Sequence, residues 1–107
     1  MKNNLKEPCV ECPFRKDSAA GWLGGETVQD TFQHVNNEGD FACHMTRHKA
    51  KKEMSRCRGS LLFLKKACKM PQFNPDLAQA LKTIGSDVDK SYILSVPEFY
   101  KHHSIYD

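Results

Sequence analysis

Apolar residues are scarce in this chain, and long apolar runs scarcer. Hydrophobic types make up 39% of its 107 residues, and the mean hydropathy is −0.63. Leu61-Leu62-Phe63-Leu64 is the only dense apolar run. It falls far short of the ~20 residues a helix needs to cross a bilayer, so no membrane partner is expected. The opening Met1-Lys2-Asn3-Asn4-Leu5-Lys6 lacks the apolar stretch of an export signal. A cytoplasmic location is the expectation, and thiols there stay reduced. The five cysteines, an odd count, then read as metal ligands, reactive thiols or small core residues rather than as disulfides. No internal repeat or low-complexity segment is visible. The length fits one domain with a modest core, and a core this thin gains from an internal metal staple.

Helix signals follow the first quarter of the chain. Val28, Phe32 and Val35 share one face of a helix expected over 26–37, with Glu26 and Asp30 near its start and Gly39 as its stop. Residues 40–44 read as a short extended segment and 46–55 as a charged surface loop or short helix. Ser60 is the expected cap of a helix running to about Met70 and ended by Pro71. Its apolar residues cover more than one face, so it should be the most buried helix. Asn74-Pro75-Asp76 opens another helix, with Leu77, Leu81 and Ile84 as its buried stripe and Gly85 as its end. Tyr92-Ile93-Leu94 reads as extended, and Ser95-Val96-Pro97-Glu98 opens a last short helix. Trp22 and Leu23 are expected in the core, and His102-His103 in solvent. The fold class that follows is mainly α with irregular loops, a small α+β arrangement being the alternative. It is expected as a single metal-stapled domain over 8–107 behind a flexible tail at 1–7.

Cys9 and Cys12 form a C-x2-C pair between Pro8 and Pro13. Two intervening residues let one tight turn aim both sulfurs at one ion. A pair is half a site, so further ligands must come from elsewhere. Cys43 and Cys57 lie in polar, loop-like contexts, whereas Cys68 sits in the apolar helical run and reads as a small core residue. Cys43 and His44 are adjacent, and neighbours in an extended segment face opposite ways. Thiolate is the softer ligand, which favours Cys43, with His44 as the alternative. The expected ligand set is Cys9, Cys12, Cys57 and one of Cys43 or His44. Zinc is the expected metal, and a 4Fe-4S cluster on the same thiolates is the alternative.

Charge is uneven. Between Arg47 and Lys69 there are nine Lys/Arg against the single acid Glu53, a balance of +8 against −5 for the rest of the chain. Arg47, Lys49, Lys51, Lys52, Arg56 and Arg58 are the expected contacts to an anionic partner, either nucleic acid or an acidic host protein. Few aromatics near this window look exposed, which weakens base stacking as a mode of binding. Enzyme readings fare less well. Pro8-Cys9-Val10-Glu11-Cys12 matches half of a zinc-deaminase signature, but no H-x-E precedes it. His34, His44 and His48 are candidates for a metal-dependent nuclease, yet no paired acid stands at a persuasive spacing.

The order Cys9-Val10-Glu11-Cys12-Pro13-Phe14-Arg15-Lys16, Gly21-Trp22-Leu23, Phe41-Ala42-Cys43-His44 and Cys57-Arg58-Gly59 resembles a family of small uncharacterised proteins of bacteriophages and some bacteria. The likeness covers roughly the first 60 residues. It implies a metal site and a phage origin, hence a host cytoplasm, and it implies no activity. Both Cys43 and His44 belong to the motif, so the choice between them stays open. The functional expectation is a non-enzymatic binding module built on a structural zinc. An iron-sulfur redox or sensor protein and a metal-dependent nuclease are the alternatives.

Overall fold

A computed structural model of the chain describes residues 7–8, 12–23, 27–37, 39, 41–43, 49–50, 53–85 and 87–104. Four helices order these residues: α1 (Val28–Asn36), α2 (Arg58–Lys66), α3 (Pro75–Lys82) and α4 (Val96–His103). Each begins on a side chain that accepts an N–H left over from the first turn. Thr27 takes that of Asp30, Asn74 that of Leu77, and Ser95 that of Glu98. Glu98 returns a bond to the Ser95 N–H, completing a capping box. α2 differs from expectation. Its cap is Cys57, whose sulfur accepts the Ser60 N–H, and Ser60 lies inside the first turn.

α2 also ends before Pro71. The Cys68 N–H bonds to the Lys65 carbonyl and the Lys69 N–H to that of Leu64, the paired bonds of a Schellman turn. That turn needs a left-handed residue, and Cys68 supplies it with φ 57°. Cys68 is therefore an exposed residue beyond the helix, not the small core residue expected.

α2 packs against α1 and α3, and α1 packs against α4. Leu61, Leu62, Phe63 and Leu64 are all buried, each contributing roughly 1.5–3 kcal/mol through its removal from water. Strand structure among the described residues is confined to two antiparallel bridges, Arg15 with Ile93 and Ala42 with Arg56. The mainly α expectation holds at this level. The radius of gyration is 12.8 Å, against about 13 Å for a compact domain of this length. No described helix is long and apolar enough to cross a membrane.

Phe14 is the hub of the core. It is fully buried, and its ring lies 5.4, 5.0 and 5.2 Å from those of Phe41, Phe63 and Phe99. Its carbonyl accepts the Leu94 N–H, and the Lys16 N–H bonds to Tyr92, so the 14–16 segment is strapped to 92–94. Two aromatic expectations change. Leu23 is buried as expected, but Trp22 is 41% exposed. His103, expected in solvent, is buried against Phe99, and His102 beside it is half-buried. The expected tail falls mostly outside the described residues, where Glu7 is exposed and Pro8 already buried.

Candidate metal centre

Cys12 and Cys57 lie 45 residues apart in sequence, and their sulfurs stand 3.6 Å apart in the core. Both side chains are buried and neither is in a disulfide. Two thiolates about 2.3 Å from one tetrahedral zinc stand about 3.8 Å apart, close to the observed separation, which also suits a hydrogen bond between the two thiol groups.

Three local features make the spacing possible. The first is the helix cap. As the N-cap of α2, Cys57 has its sulfur turned toward backbone N–H groups, with Ser60 N at 3.4 Å, while the Ser60 hydroxyl donates to the Cys57 carbonyl at 2.8 Å. The second is Gly59. A Cβ there would overlap the Cys12 sulfur outright, so the glycine of C-x-G leaves the space that Cys12 occupies. The third is the turn carrying Cys12. The Arg15 N–H bonds back to the Cys12 carbonyl at 3.2 Å, and the next carbonyl, that of Pro13, accepts a bond from His103 Nε2 at 2.7 Å. The Gly21 N–H donates to His103 Nδ1 at 3.0 Å, which fixes the ring as the neutral Nε2–H tautomer. Gly21 adopts φ 81° to present that N–H, a conformation glycine reaches without strain.

Electrostatics favour a thiolate at Cys57. Its pKa is lowered, chiefly by the hydrogen bond from Cys12 and further by the N–H groups of Ser60 and Gly59, while burial acts the other way. Amide hydrogen bonds at a helix N-terminus stabilise a thiolate in this way. No acid occupies the first turn of α2.

Cys43 is buried on a neighbouring element. Its N–H bonds to the Ser55 carbonyl, and the Cys57 N–H bonds to that of Phe41, on either side of the Ala42–Arg56 bridge. The pleat puts Cys43 and Cys57 on the same side of this short ladder, as diagonal neighbours about 7–8 Å apart at the backbone. Even so, among the described residues no three Cys, His, Asp or Glu side chains converge on one point. Of the expected ligands, Cys12 and Cys57 are the two whose sulfurs stand together among the described residues. Cys9 and His44 lie outside the described residues.

The expected basic contacts divide. Lys49 is exposed, and Arg58 is half-buried with its Nε shut away from solvent and without a hydrogen-bond partner. Arg56 is 2% exposed, so its guanidinium is part of the interior rather than of a docking surface. Arg47, Lys51 and Lys52 lie outside the described residues, as does His48. His34 is exposed on α1 with its ring edge-on to Phe41 at 5.7 Å.

No known protein family, characterised protein or solved structure matches the chain. The site has to be read from its own chemistry. Sequence reasoning found both sulfurs of the pair but gave no role to Gly59 or His103. The C-x-G spacing was the available signal for Gly59. No local signal marked His103, whose partners are 82 and 90 residues away.

Proposed function

We propose that this chain is a small non-enzymatic binding module stapled by a structural zinc ion, with a basic surface turned toward an anionic partner, either nucleic acid or an acidic protein. The observation that carries the metal reading is the 3.6 Å approach of the buried Cys12 and Cys57 sulfurs. Its support comes from the amide donors around Cys57 and the space left by Gly59. An ion there would clamp the Cys12 turn to the start of α2, joining the loop-rich first half to the most buried helix. Cys9 and either Cys43 or His44 would complete the coordination. A reducing cytoplasm would keep these thiols available to the metal.

The same distance separates the two metal alternatives. In a 4Fe-4S cubane each iron takes one cysteine, which spreads the sulfurs further apart than two ligands on one ion. The close pair favours a mononuclear site. Elemental analysis and visible spectroscopy of anaerobically purified protein test the reading. One zinc per chain in a colourless sample is the expected result. A brown sample with broad visible absorbance would replace zinc with a cluster, and a folded chain carrying no metal would remove the staple altogether.

A further inference from the structure

The far end of α2 carries a second cationic feature, separate from the Cys12–Cys57 pair. Lys65, Lys66, Cys68, Lys69, Met70 and Lys90 line an open basin of about 420 Å³. Four of these six side chains are cationic and none is acidic. Cations in the last turn of a helix answer its dipole, which accounts for Lys65 and Lys66 but not for Lys69 or Lys90. Lys66 is also held in place: its Nζ donates to the carbonyls of Ile93 at 2.7 Å and Lys90 at 3.2 Å. An ammonium has three donors, so one remains for a ligand, on a group already positioned. Lys65 Nζ is tied similarly to the Leu81 carbonyl at 3.4 Å. The nearest acid in sequence, Asp89, accepts the Ser91 N–H at 2.9 Å and is exposed beside the basin.

The two most exposed large apolar side chains among the described residues are Met70, which lines the basin, at 54%, and Phe73, a little further along the chain, at 87%. Two residues separate them, so their backbones lie within about 10 Å of each other. An exposed phenyl ring a few residues along the chain from a cluster of lysines is the pairing that single-stranded nucleic acid uses, with phosphates on the cations and an unstacked base on the ring. A basin of this size admits a nucleotide-sized group but not a duplex.

We propose that the C-terminal end of α2 is a docking surface for single-stranded nucleic acid, in which Lys65, Lys66, Lys69 and Lys90 hold backbone phosphates and Phe73 stacks a base. This rests on the anionic-partner part of the proposed function and not on the metal. It places the docking surface at the C-terminal end of the basic window rather than around Arg56, with Phe73 as an exposed aromatic just beyond that window.

The test is fluorescence anisotropy with a labelled oligo-dT, the matching RNA oligomer and a duplex of equal length, at ~50 and ~200 mM salt. Metal content is measured on the same preparations. The single strand is expected to bind more tightly than the duplex. Phe73→Ala should weaken it by about 5- to 150-fold at both salts. The double change Lys69→Glu with Lys90→Glu should weaken it at least tenfold and flatten the salt slope by about 0.7 for each phosphate no longer neutralised. Both variants alter surface side chains, and thermal melts confirm that they fold. The proposal is overturned if Phe73→Ala binds like the parent, if the duplex binds as well as the single strand, or if polyglutamate competes equally and independently of Phe73. The last result would name an acidic protein as the partner. Failure to bind with one zinc still present would sink this surface while leaving the metal staple standing.

Discussion

Gly59 and the Cys12 sulfur occupy neighbouring space that admits no added carbon. Gly59→Ala is therefore expected to displace the Cys12 turn, since the obstacle is a fixed side chain near its own backbone rather than the tip of a flexible one. Overpacking of this kind costs about 1–3 kcal/mol, and metal content should fall with it. Denaturant melts and elemental analysis of the variant check both. His103 makes the second prediction at this scale. Its pKa is lowered, first by burial and then by the neighbouring His102 ring, against the favourable interaction with the Pro13 carbonyl. A folded value below the unfolded one means the unfolded chain binds the extra proton first. Stability is then full above about 6.5 and falls as pH drops through the window below it. An NMR titration of the His103 ring should give a midpoint under 6.5, and a midpoint above it would contradict the burial of the neutral ring. Protonation would also set a new N–H against the Gly21 donor.

α2 concentrates both the legible and the illegible parts of the sequence. Its apolar run was readable because Leu61 through Leu64 leave no polar face. Its boundaries were not. Ser60 looked like the cap because serine is a common one, yet the cap is Cys57, three residues earlier. Pro71 looked like the stop because proline cannot continue a helix, but the chain had already turned at Cys68. That turn uses a residue type rarely found in the left-handed region, so its signal was absent. Cys68→Gly is expected to stabilise the protein by about 1 kcal/mol, by relieving the left-handed strain at this residue, with metal content unchanged. Thermal melts and elemental analysis of the variant decide it, and a loss of metal would place Cys68 in the site after all. α3 and α4 were readable to within a residue or two because their start signals are local: Asn74-Pro75 and the Ser95–Glu98 box lie within one turn.

Across the whole molecule, what holds the candidate site is non-local, and that is why only its two sulfurs were legible. Cys12 depends on Gly59 for space, on His103 through Pro13 for the shape of its turn, and on the Phe14 ring stack for depth. Stability of the complete chain should therefore follow metal occupancy. Cys57→Ser separates capping from coordination, because serine is at least as good a helix cap as cysteine. With zinc bound to the parent, the variant is expected to melt well below it. After chelation the two should melt together, since the parent then loses the same staple. Equal melting in both conditions would mean that the thiols only pack.

The clasp between Pro13 and His103 also bears on synthesis. Its two halves leave the ribosome 90 residues apart, and the ring that shapes the cysteine turn comes second. The Cys12 thiol is therefore made long before the interaction that orders it, and before Cys57 exists to stand beside it. Throughout that interval the nascent chain offers an unprotected sulfur to oxidants and to competing metals. The time needed to translate the chain from Cys12 to the end of α4 then sets how long the cell must shield it.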